Sequence, residues 1–256
     1  MNKKNYAAIY AVSENDVIGH ENSLPWDLQK ADLSNFMTLT KSPDRNGNPP
    51  VLICGGRTLE SLGYKPLKNR LNIVMTTNPD KDELNEFKEA GGLAFTNKQD
   101  LLAYLDTIPN EEIFIIGGRD MWVMFWKEIG IVYKTEIRAR VKGAILFPPT
   151  LSLESFTEIL SKAKNWPVDE KNQFPSTFRV YKRPGHYTLE QRLVMEKITL
   201  PAPVSSDDMG GYLGDVHESI AEEERLILAK LQPLELTYDD LLQYKGVKKE
   251  ETQSTT

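Results

Sequence analysis

The sequence predicts an α/β fold with a mainly parallel central sheet, helices on both of its faces and an antiparallel hairpin at the C-terminal end. Short, almost entirely apolar runs alternate with helical patterns as far as Glu128, which is typical of parallel strands joined by helices. The last two predicted strands, 156–160 and 177–182, flank a segment rich in proline and charged residues. We therefore expect them to close the sheet as a hairpin.

The predicted elements follow one another in a regular order. The runs 6–12, 51–54 and 113–116 are apolar throughout, so we expect these strands to be buried on both faces. Asn97 is placed to cap one helix, and Gly91-Gly92 to end another. The predicted strands are 6–12, 51–54, 71–75, 93–95, 113–116 and 132–141, and the predicted helices between them include 59–62, 80–90, 98–106 and 120–128.

Composition argues against several classes of protein. The chain has 256 residues, 40% of them hydrophobic, which suffices for one substantial core and a second small unit. No run of about 18 apolar residues occurs, so we predict no membrane span. The single cysteine, Cys54, is expected to be a buried, inert thiol in a reducing cytoplasm. The three histidines are far apart in the sequence, so we predict no metal site.

Charge divides the chain into two parts. The formal net charge is −6, and residues 185–256 contain 7 Lys and Arg against 14 Asp and Glu, so the preceding part is almost neutral. We predict one domain at 1–184 and a C-terminal extension at 185–256. The acidic whole argues against nucleic acid as a partner, while the neutral part can still hold a basic pocket for an anionic cofactor.

The C-terminal extension is predicted to contain a linker at 201–214, two short helices and a disordered end at 248–256. The first helix is expected to start at Asp215, and the second to run over 238–245 after Thr237. Apolar residues just before the linker, such as Tyr187 and Met195, are expected to pack on the first domain. Two interpretations of the extension stay open: marginal helices packed on the first domain or partly disordered, or a docking module for another protein.

The stretch 18–36 combines a loop of turn-forming residues with the start of a helix. After Trp26, apolar residues recur at helical spacing, and one carboxylate, Asp32, falls within their stripe. Asp32 either lies at the edge of the stripe, in water or in an ion pair, or is a desolvated carboxyl with a raised pKa. Asp27, just before the helix, is predicted to be its N-cap. The stripe consists of Leu28, Asp32, Phe36 and Leu39.

Groups suited to binding phosphate follow three of the predicted strands. These groups are Gly55-Gly56-Arg57-Thr58, Thr76-Thr77 and Gly117-Gly118-Arg119. The carboxyl ends of parallel strands meet at one edge of a sheet, so we expect the three groups to face one ligand. Each alone is also typical of an ordinary strand-to-helix turn, but together they favour a nucleotide. Neither the G-x-G-x-x-G nor the G-x-x-x-x-G-K-[ST] pattern is present, so neither an ordinary Rossmann site nor a P-loop is indicated.

Five motifs accompany these features in the order of one family. They are VIG…LPW…D…F at 17–36, GGRTLES at 55–61, R-x-N-I-V at 70–74, IGG before a helix at 116–122 and Y-x-T-x-I at 133–137. Between about residues 6 and 182 the sequence therefore resembles dihydrofolate reductase. The resemblance implies the fold of that family, and the reduction of 7,8-dihydrofolate to tetrahydrofolate by hydride transfer from NADPH.

The resemblance also implies roles for individual residues around the substrate. Asp32 matches the acidic residue that binds the pterin and promotes its protonation, and Thr135 matches the hydroxyl that fixes this carboxylate. Trp26 matches the indole that orders a water molecule beside the pterin. The implied substrate-binding residues are Phe36, Leu62, Leu67 and Arg70, the last as the cation for the glutamate α-carboxylate.

For NADPH, the resemblance implies a cradle around the second glycine pair, whose peptide bond is cis in the family. The residues implied to bind the cofactor are Ala8, Ile18, Gly19, Gly55, Arg57, Thr58, Thr76, Thr77, Ile116, Gly117, Gly118 and Arg119. Three positions depart from the family pattern. Gly56 replaces a common Arg or Lys at the 2′-phosphate, Leu59 replaces a Trp, and Trp122 replaces a Tyr near the nicotinamide.

Two other functions compete with the implied one. A pterin- or pyrimidine-reducing relative on the same fold is less favoured, because LPW, Asp32 and Arg70 occur together. A structural or assembly protein built on a reductase domain is suggested by the acidic extension, through which a protein partner would bind. Oxidation of NADPH in the presence of dihydrofolate distinguishes the reductase from both.

Overall fold

The computed structural model describes residues 4–27, 29–198 and 225–246. The chain separates into two compact units, Met1–His186 and Tyr187–Thr256. The domain boundary predicted after residue 184 stays a prediction. Three other expectations lie outside the described residues: the linker at 201–214, the helix start at Asp215 and the disordered end at 248–256.

The first unit is an α/β structure. Its strands are β1 (Asn5–Ser13), β2 (Val17–Gly19), β3 (Val51–Gly55), β4 (Leu71–Met75), β5 (Leu93–Phe95), β6 (Glu112–Gly117), β7 (Ile131–Ile137), β8 (Ile145–Leu146), β9 (Thr157–Glu158), β10 (Lys164–Trp166) and β11 (Ser176–Lys182). Its helices are α1 (Lys30–Leu39), α2 (Gly56–Ser61), α3 (Glu83–Glu89), α4 (Lys98–Thr107) and α5 (Arg119–Phe125). The side chain of Asn97 caps α4, as predicted, by accepting a hydrogen bond from the Asp100 amide at 2.9 Å.

Nine strands form one sheet, in the order β10-β11-β7-β1-β6-β3-β4-β5, with β9 paired to β11. The pairs from β7 through β1, β6, β3 and β4 to β5 are parallel, and β11 is antiparallel to β7. The predicted, mainly parallel sheet with an antiparallel end is therefore confirmed.

The predicted strand at 156–160 is wrong in its extent. The chain instead forms two short strands, β9 and β10, which both pair with β11. A 3-10 turn at Leu160–Lys162 separates them. Ile159 is buried and its amide donates to the Val180 carbonyl at 2.8 Å, so this one residue anchors the turn while the exposed Leu160 points away. The short pairing of β2 with β8 was not predicted, because strands of three and two residues are too short to show a recognisable strand pattern.

Helices cover both faces of the sheet, as predicted. Alternate residues of a strand point to opposite faces, so Leu52 and Cys54 of β3 lie on one side and Ile53 on the other. The first face packs against α1, α2 and α3 through Phe36, Leu39, Leu59, Leu84 and Phe87. The second face packs against α4 and α5 through Leu101, Leu105, Met121, Trp122 and Phe125. Burial raises the pKa of the Cys54 thiol to about 12, which is consistent with the predicted inert cysteine.

The second unit has an apolar cluster of its own. Helix α6 (Leu189–Lys197) begins with a capping box between Thr188 and Gln191. Residues 225–231 are helical, and a last helix spans Tyr238–Lys245, between Thr237 and Gly246 as predicted. The buried members of the cluster are Tyr187, Met195, Ile198, Ile227, Leu231, Leu234, Leu236 and Leu241.

Two features of this unit differ from the sequence interpretation. Helix α6 was not predicted, although the T-x-x-Q spacing of its capping box was readable in the sequence. Tyr187 and Met195 were expected to pack on the first domain, but they are buried within the second unit.

Among the described residues, no helix is long and apolar enough to cross a membrane. Within the same residues, no group of three or more His, Cys, Asp and Glu could hold a metal ion.

The cluster of the second unit predicts where the chain can be cut. We expect a chain ending at His186 to unfold cooperatively, with a melting temperature equal to that of the first unit in the full chain. A chain ending at Thr199 keeps α6 but lacks Ile227, Leu231 and Leu241, so the apolar side of α6 loses its partners. We expect that chain to aggregate more readily. Circular dichroism and size-exclusion chromatography compare the two, and a soluble 1–199 beside an unfolded 1–186 would contradict this division.

Candidate active site

Asp32 lies in the first turn of α1, opposite the sheet strand β7. Thr135 Oγ1 of β7 donates a hydrogen bond of 2.5 Å to Asp32 Oδ1. Burial raises the pKa of the Asp32 carboxyl, and the hydrogen bond from Thr135 opposes the rise, because it stabilises the charged form. In the described part of the chain no cation pairs with Asp32 within 4.0 Å. The desolvated-carboxyl interpretation is therefore the one that the geometry supports.

The helix that carries Asp32 starts differently from the prediction. Gln29, not Asp27, is the N-cap residue, and its own side chain does not cap the helix. Asn172 supplies the cap from another loop: its Oδ1 accepts from the Ala31 amide at 2.9 Å. Asp27 is exposed, and its amide donates to Gln173 Oε1 at 3.0 Å. The predicted cap failed because the better acceptor comes from 141 residues further along the chain.

Apolar side chains continue from Asp32 along the same face of the sheet. Phe36 and Leu67 pack against a buried cluster that includes Tyr133 and Phe178. Leu62, at the end of α2, is 37% exposed, and Leu33 of α1 is 59% exposed. Leu28 lies outside the described residues. The side chains implied to contact the substrate rings are thus partly buried or exposed, and remain available to a ligand.

Trp26 lies just before α1 and is buried. Its indole Nε1 has no hydrogen-bond partner among the described residues. A buried N–H without an acceptor is costly, so this atom is suited to binding a water molecule or a polar ligand atom.

Arg70 is a buried cation at the start of β4. Its Nε donates to the Thr40 carbonyl at 2.8 Å, and its Nη atoms donate to the carbonyls of Lys68 and Met37, both at 3.3 Å. Burial lowers the pKa of the guanidinium. No carboxylate lies within ion-pair distance of it in the described part of the chain. Carbonyls carry only partial charge, so Arg70 retains the capacity to bind an anion.

A cleft of about 520 Å³ opens at the carboxyl ends of β1, β3, β4 and β6. It brings together eleven of the twelve residues that the resemblance assigned to the cofactor. These are Ile18, Gly19, Gly55, Arg57, Thr58, Thr76, Thr77, Ile116, Gly117, Gly118 and Arg119. Ile116 also packs against the cluster that holds Phe36 and Leu67, so the cleft adjoins the face that carries Asp32.

Ala8 is the exception. It has no exposed surface, because it lies in the middle of β1, between β6 and β7 and under helices on the second face. It does not line the cleft, and its assignment to the cofactor stays a prediction. The residues by which β1 reaches the cleft are Tyr10 and Ala11, nearer the carboxyl end of the strand.

The floor of the cleft is a glycine pair joined by a cis peptide bond, as the resemblance implies. A Cβ on Gly117 would lie 3.2 Å from the Trp122 ring, and one on Gly118 would lie 3.5 Å from Thr58 Oγ1. A side chain at either position would fill the space in front of these groups. The glycine backbone and the neighbouring threonine hydroxyls therefore fit the diphosphate of a dinucleotide such as NADPH.

Charge at this end of the cleft is mixed. Arg57 and Arg119 lie in the lining, as predicted, but Asp120 lies between them. Its Oδ2 is 3.6 Å from Arg57 Nη2, and its Oδ1 is 3.9 Å from Arg119 Nε. All three side chains are substantially exposed, so these contacts are weak and the two cations can turn toward an anion.

An aromatic group forms part of the cleft wall. Trp122 stacks at an angle against Tyr10 and Phe147, with ring centroids 5.3 and 5.8 Å apart. Its Nε1 donates to the Ile115 carbonyl at 3.0 Å, which fixes the ring in the wall. Leu59, the other departure from the family pattern, is buried with Cys54, and thus fills a packing position.

Several lining residues were missed by sequence reasoning. Thr96 follows β5 at its carboxyl end, so the rule that found Thr76 and Thr77 could have found it. Leu24 comes from the loop after β2 and Ile145 from the short strand β8, and the pairing of β2 with β8 that brings Ile145 into place has no local signal.

The sequence of the first unit matches a known protein family. Residues 5–183 match the sequence profile of the family described as dihydrofolate reductase. The chain belongs to the dihydrofolate reductase family. The match covers all five motifs and stops before the second unit of the chain.

Individual dihydrofolate reductases are similar over the same region. The enzyme of Bacillus subtilis (strain 168) is 31% identical over 175 residues, which are 68% of this chain and 92% of that protein. The type 3 enzyme of Salmonella typhimurium is 34% identical over 170 residues, 66% of this chain and 93% of that protein. A solved structure of the Enterococcus faecalis enzyme, complexed with NADP(H) and RAB-propyl, is 30% identical with a TM-score of 0.60, and covers 70% of this chain and 96% of its own.

The family assignment supports the predicted activity and the predicted cofactor. The protein is an NADPH-dependent dihydrofolate reductase, which forms tetrahydrofolate from dihydrofolate. The alternative of a structural or assembly protein built on a reductase domain is not favoured.

The raised pKa of Asp32 predicts a stability effect. The folded protein holds this proton more tightly than the unfolded chain, so stability falls as the pH rises from the ordinary Asp pKa, about 3.9, to the raised value. Asn at this position still accepts from Thr135 but carries no charge. We therefore expect Asp32→Asn to melt at a higher temperature than the wild type at pH 7, and the gain to vanish below about pH 4.

Thermal unfolding from pH 4 to pH 8 measures this difference. The matched control is Asp27→Asn, which changes an exposed carboxylate five residues earlier in the chain and should leave the melting temperature unchanged. An equal or lower melting temperature for Asp32→Asn at pH 7 would show that the buried carboxylate does not destabilise the fold.

Proposed function

We propose that Asp32, Thr135 and Trp26 form the proton-handling part of this dihydrofolate reductase. The observation that carries the proposal is the half-buried Asp32, whose carboxyl has one hydrogen bond, from Thr135, and a pKa raised by desolvation. An ionised carboxylate can accept two parallel hydrogen bonds from the amino-pyrimidine edge of a pterin. Its position in an otherwise apolar face restricts the substrate to one orientation.

Reduction of 7,8-dihydrofolate adds one hydride and one proton across a C=N bond. NADPH supplies the hydride when it is bound. Asp32 raises the proton affinity of the pterin ring by placing negative charge beside it in a site of low polarity. Thr135 holds the carboxylate in place. Trp26 Nε1, buried without an acceptor in the described part of the chain, is the group we propose to hold the water through which the proton reaches the ring.

Arg70 is proposed to bind the α-carboxylate at the other end of the substrate. Three backbone carbonyls fix its guanidinium, so little side-chain entropy is lost when the anion binds. Phe36 and Leu67 pack on the apolar cluster of this face, and Leu62 is partly exposed at the end of α2. We propose that these three side chains contact the substrate rings.

The cleft residues are proposed to hold NADPH. Gly117 and Gly118 allow the backbone to approach the diphosphate, and Thr58 lies against both. Since Gly56 has no side chain, the 2′-phosphate would depend on Arg57 and the threonine pair. The remaining proposed cofactor residues are Ile18, Gly19, Gly55, Thr76, Thr77, Ile116 and Arg119.

Two further proposals concern the location of the protein in the cell and a protein partner. A cytoplasmic location is supported by the single, buried cysteine, which needs no oxidising compartment. A protein partner that binds residues 185–256 is supported by the acidic composition of that segment, which no part of the proposed catalytic site uses.

Asp32→Asn tests the proposed acid chemistry. We expect the variant to bind NADPH normally but to lose at least about 100-fold in turnover at pH 7, the range seen when a group that assists proton transfer is removed. The deficit should shrink as the pH falls, because solvent then protonates the substrate directly. Single-turnover hydride transfer between pH 5 and pH 8 measures both effects, and near-normal turnover at pH 7 would mean that another group handles the proton.

Arg70→Leu tests the proposed anion site. We expect the dissociation constant for dihydrofolate to rise by roughly two orders of magnitude, since a bidentate charged pair is lost. A dihydropterin without the aminobenzoylglutamate tail serves as the control ligand and should bind equally to both proteins. Fluorescence titration gives both constants. The same loss of affinity for both ligands would show that Arg70 acts only by holding Thr40 and Met37.

A further inference from the structure

A polar clamp joins the start of α1 to the loop before β11. We define the clamp loop as residues 169–175. The Lys30 amide donates to the Lys171 carbonyl at 2.9 Å, and the Ala31 amide donates to Asn172 Oδ1 at 2.9 Å. The first amides of α1 are therefore satisfied by the clamp loop, because the N-cap residue Gln29 does not use its own side chain for them.

Gln29 faces the other way and forms the second half of the clamp. Its Nε2 donates to the Phe174 carbonyl at 2.8 Å and to Ser176 Oγ at 2.9 Å. The Phe174 amide donates back to Gln29 Oε1 at 3.3 Å. Gln29 and Asn172 are both buried, with 7% and 4% of their surface exposed. Buried amides with several partners in fixed positions are rigid connections, since breaking any one of these hydrogen bonds leaves a buried polar group without a partner.

Asn172 is held in turn by its own loop. Its Nδ2 donates to Asp169 Oδ1 at 2.9 Å, and the same oxygen accepts from the Lys171 amide at 2.7 Å. The Asp169 carboxylate therefore fixes the amide orientation that presents Oδ1, not Nδ2, to α1.

The clamp connects the helix that carries Asp32 to the strand that is paired with β7, which carries Thr135. Ala31, which Asn172 caps, immediately precedes Asp32. Ser176, which Gln29 contacts, begins β11, and β11 is paired with β7 in a register that places Phe178 opposite Thr135. The two ends of the Asp32–Thr135 hydrogen bond thus belong to elements that the clamp ties together.

We infer that Asn172 is a positioning residue for reduction: it fixes the first turn of α1 so that Asp32 stays desolvated and in contact with Thr135. This inference rests on the proposed role of Asp32. Without the cap, the first turn of α1 would open and admit water beside the carboxyl. The pKa of Asp32 would then move down toward its ordinary value, because burial is what raises it.

Other charged groups near Asp32 do not replace this effect. On the face of the sheet that packs against α1, Lys164 of β10 donates to Asn35 Oδ1 at 2.9 Å, one turn beyond Asp32. Lys30 of α1 itself is exposed. On the opposite face, Lys134 and Arg179 pair with Glu136, both at 2.9 Å. Asp169 of the clamp loop is bonded to Asn172 and Lys171.

The test is the pH profile of single-turnover hydride transfer for Asn172→Ala. We expect its midpoint to move to lower pH by at least about half a unit, which is about a threefold slower rate at any pH above the midpoint, with a near-normal rate well below it. A carbon-13 NMR titration of the Asp32 carboxyl in the free protein should show the same shift. The dissociation constant for NADPH should not change, because the cleft lies at the carboxyl ends of other strands.

Two variants separate positioning from stability. Asn110→Ala removes another buried amide, which donates to the Pro49 carbonyl at 2.7 Å far along the chain from α1, and should lower the melting temperature without moving the profile. The exchange Asn172→Asp with Asp169→Asn keeps an acceptor for the Ala31 amide and a donor between the two side chains. This double variant should restore the wild-type profile.

Every outcome of these measurements either supports or overturns the role inferred for Asn172. A folded Asn172→Ala protein with the wild-type profile, or an Asn110→Ala protein with the same shift, overturns the inference. If Asn172→Ala does not fold, Gln29→Met, similar in size, tests the other half of the clamp and should shift the profile in the same direction, and an unshifted profile there overturns it too. Failure of the proposed role of Asp32 is distinct, because it appears as normal turnover of Asp32→Asn at pH 7.

Discussion

The hydrogen bond from Thr135 to Asp32 joins a helix to a sheet, beside the apolar side chains of Phe36 and Phe178. A carboxylate in such a place is unfavourable for folding, since burial raises its pKa and one hydroxyl compensates only in part. The surrounding structure must therefore hold α1 against β7 firmly enough to keep water out. Large side chains such as Phe36 and Phe178 supply the apolar contact, and the clamp at Asn172 supplies the polar one.

The cofactor cleft depends on a different constraint, the parallel order of the strands. Because β1, β6, β3 and β4 are neighbours and run the same way, the loops after them converge without any long-range contact of their own. The cleft needs backbone access and hydroxyls more than buried charge. Its cations, Arg57 and Arg119, are exposed and share Asp120, whereas Arg70 on the substrate side is buried and fixed by carbonyls. Arg70 therefore has a fixed position without a ligand, whereas the side chains of Arg57 and Arg119 are held only by weak, exposed contacts.

The second unit shows how far local sequence signals reach. Thr237, Asp240 and Gly246 define a helix by capping alone, and the structure places its ends where the sequence predicted them. Helix α6 carries an equally clear capping box at Thr188 and was still missed, because its apolar face packs with residues 227–241, which lie well beyond it in the sequence. The helical spacing of apolar residues can be recognised within a short segment of sequence. The residues against which that apolar face packs cannot.

The sequence by itself determined the α/β class, most strands of the sheet, the glycines, threonines and arginines that meet at one edge of it, and the position of the acidic residue on α1. These follow from apolar runs, glycine pairs and helical spacing, all of which act over a few residues. Tertiary structure decided the rest: that Asn172 and not Asp27 caps α1, that Tyr10 and Ala11 and not Ala8 reach the cleft, and that β9 and β10 replace one strand. Each of these depends on which groups, over 100 residues apart in the first two cases, share a buried position, and no local pattern encodes that choice.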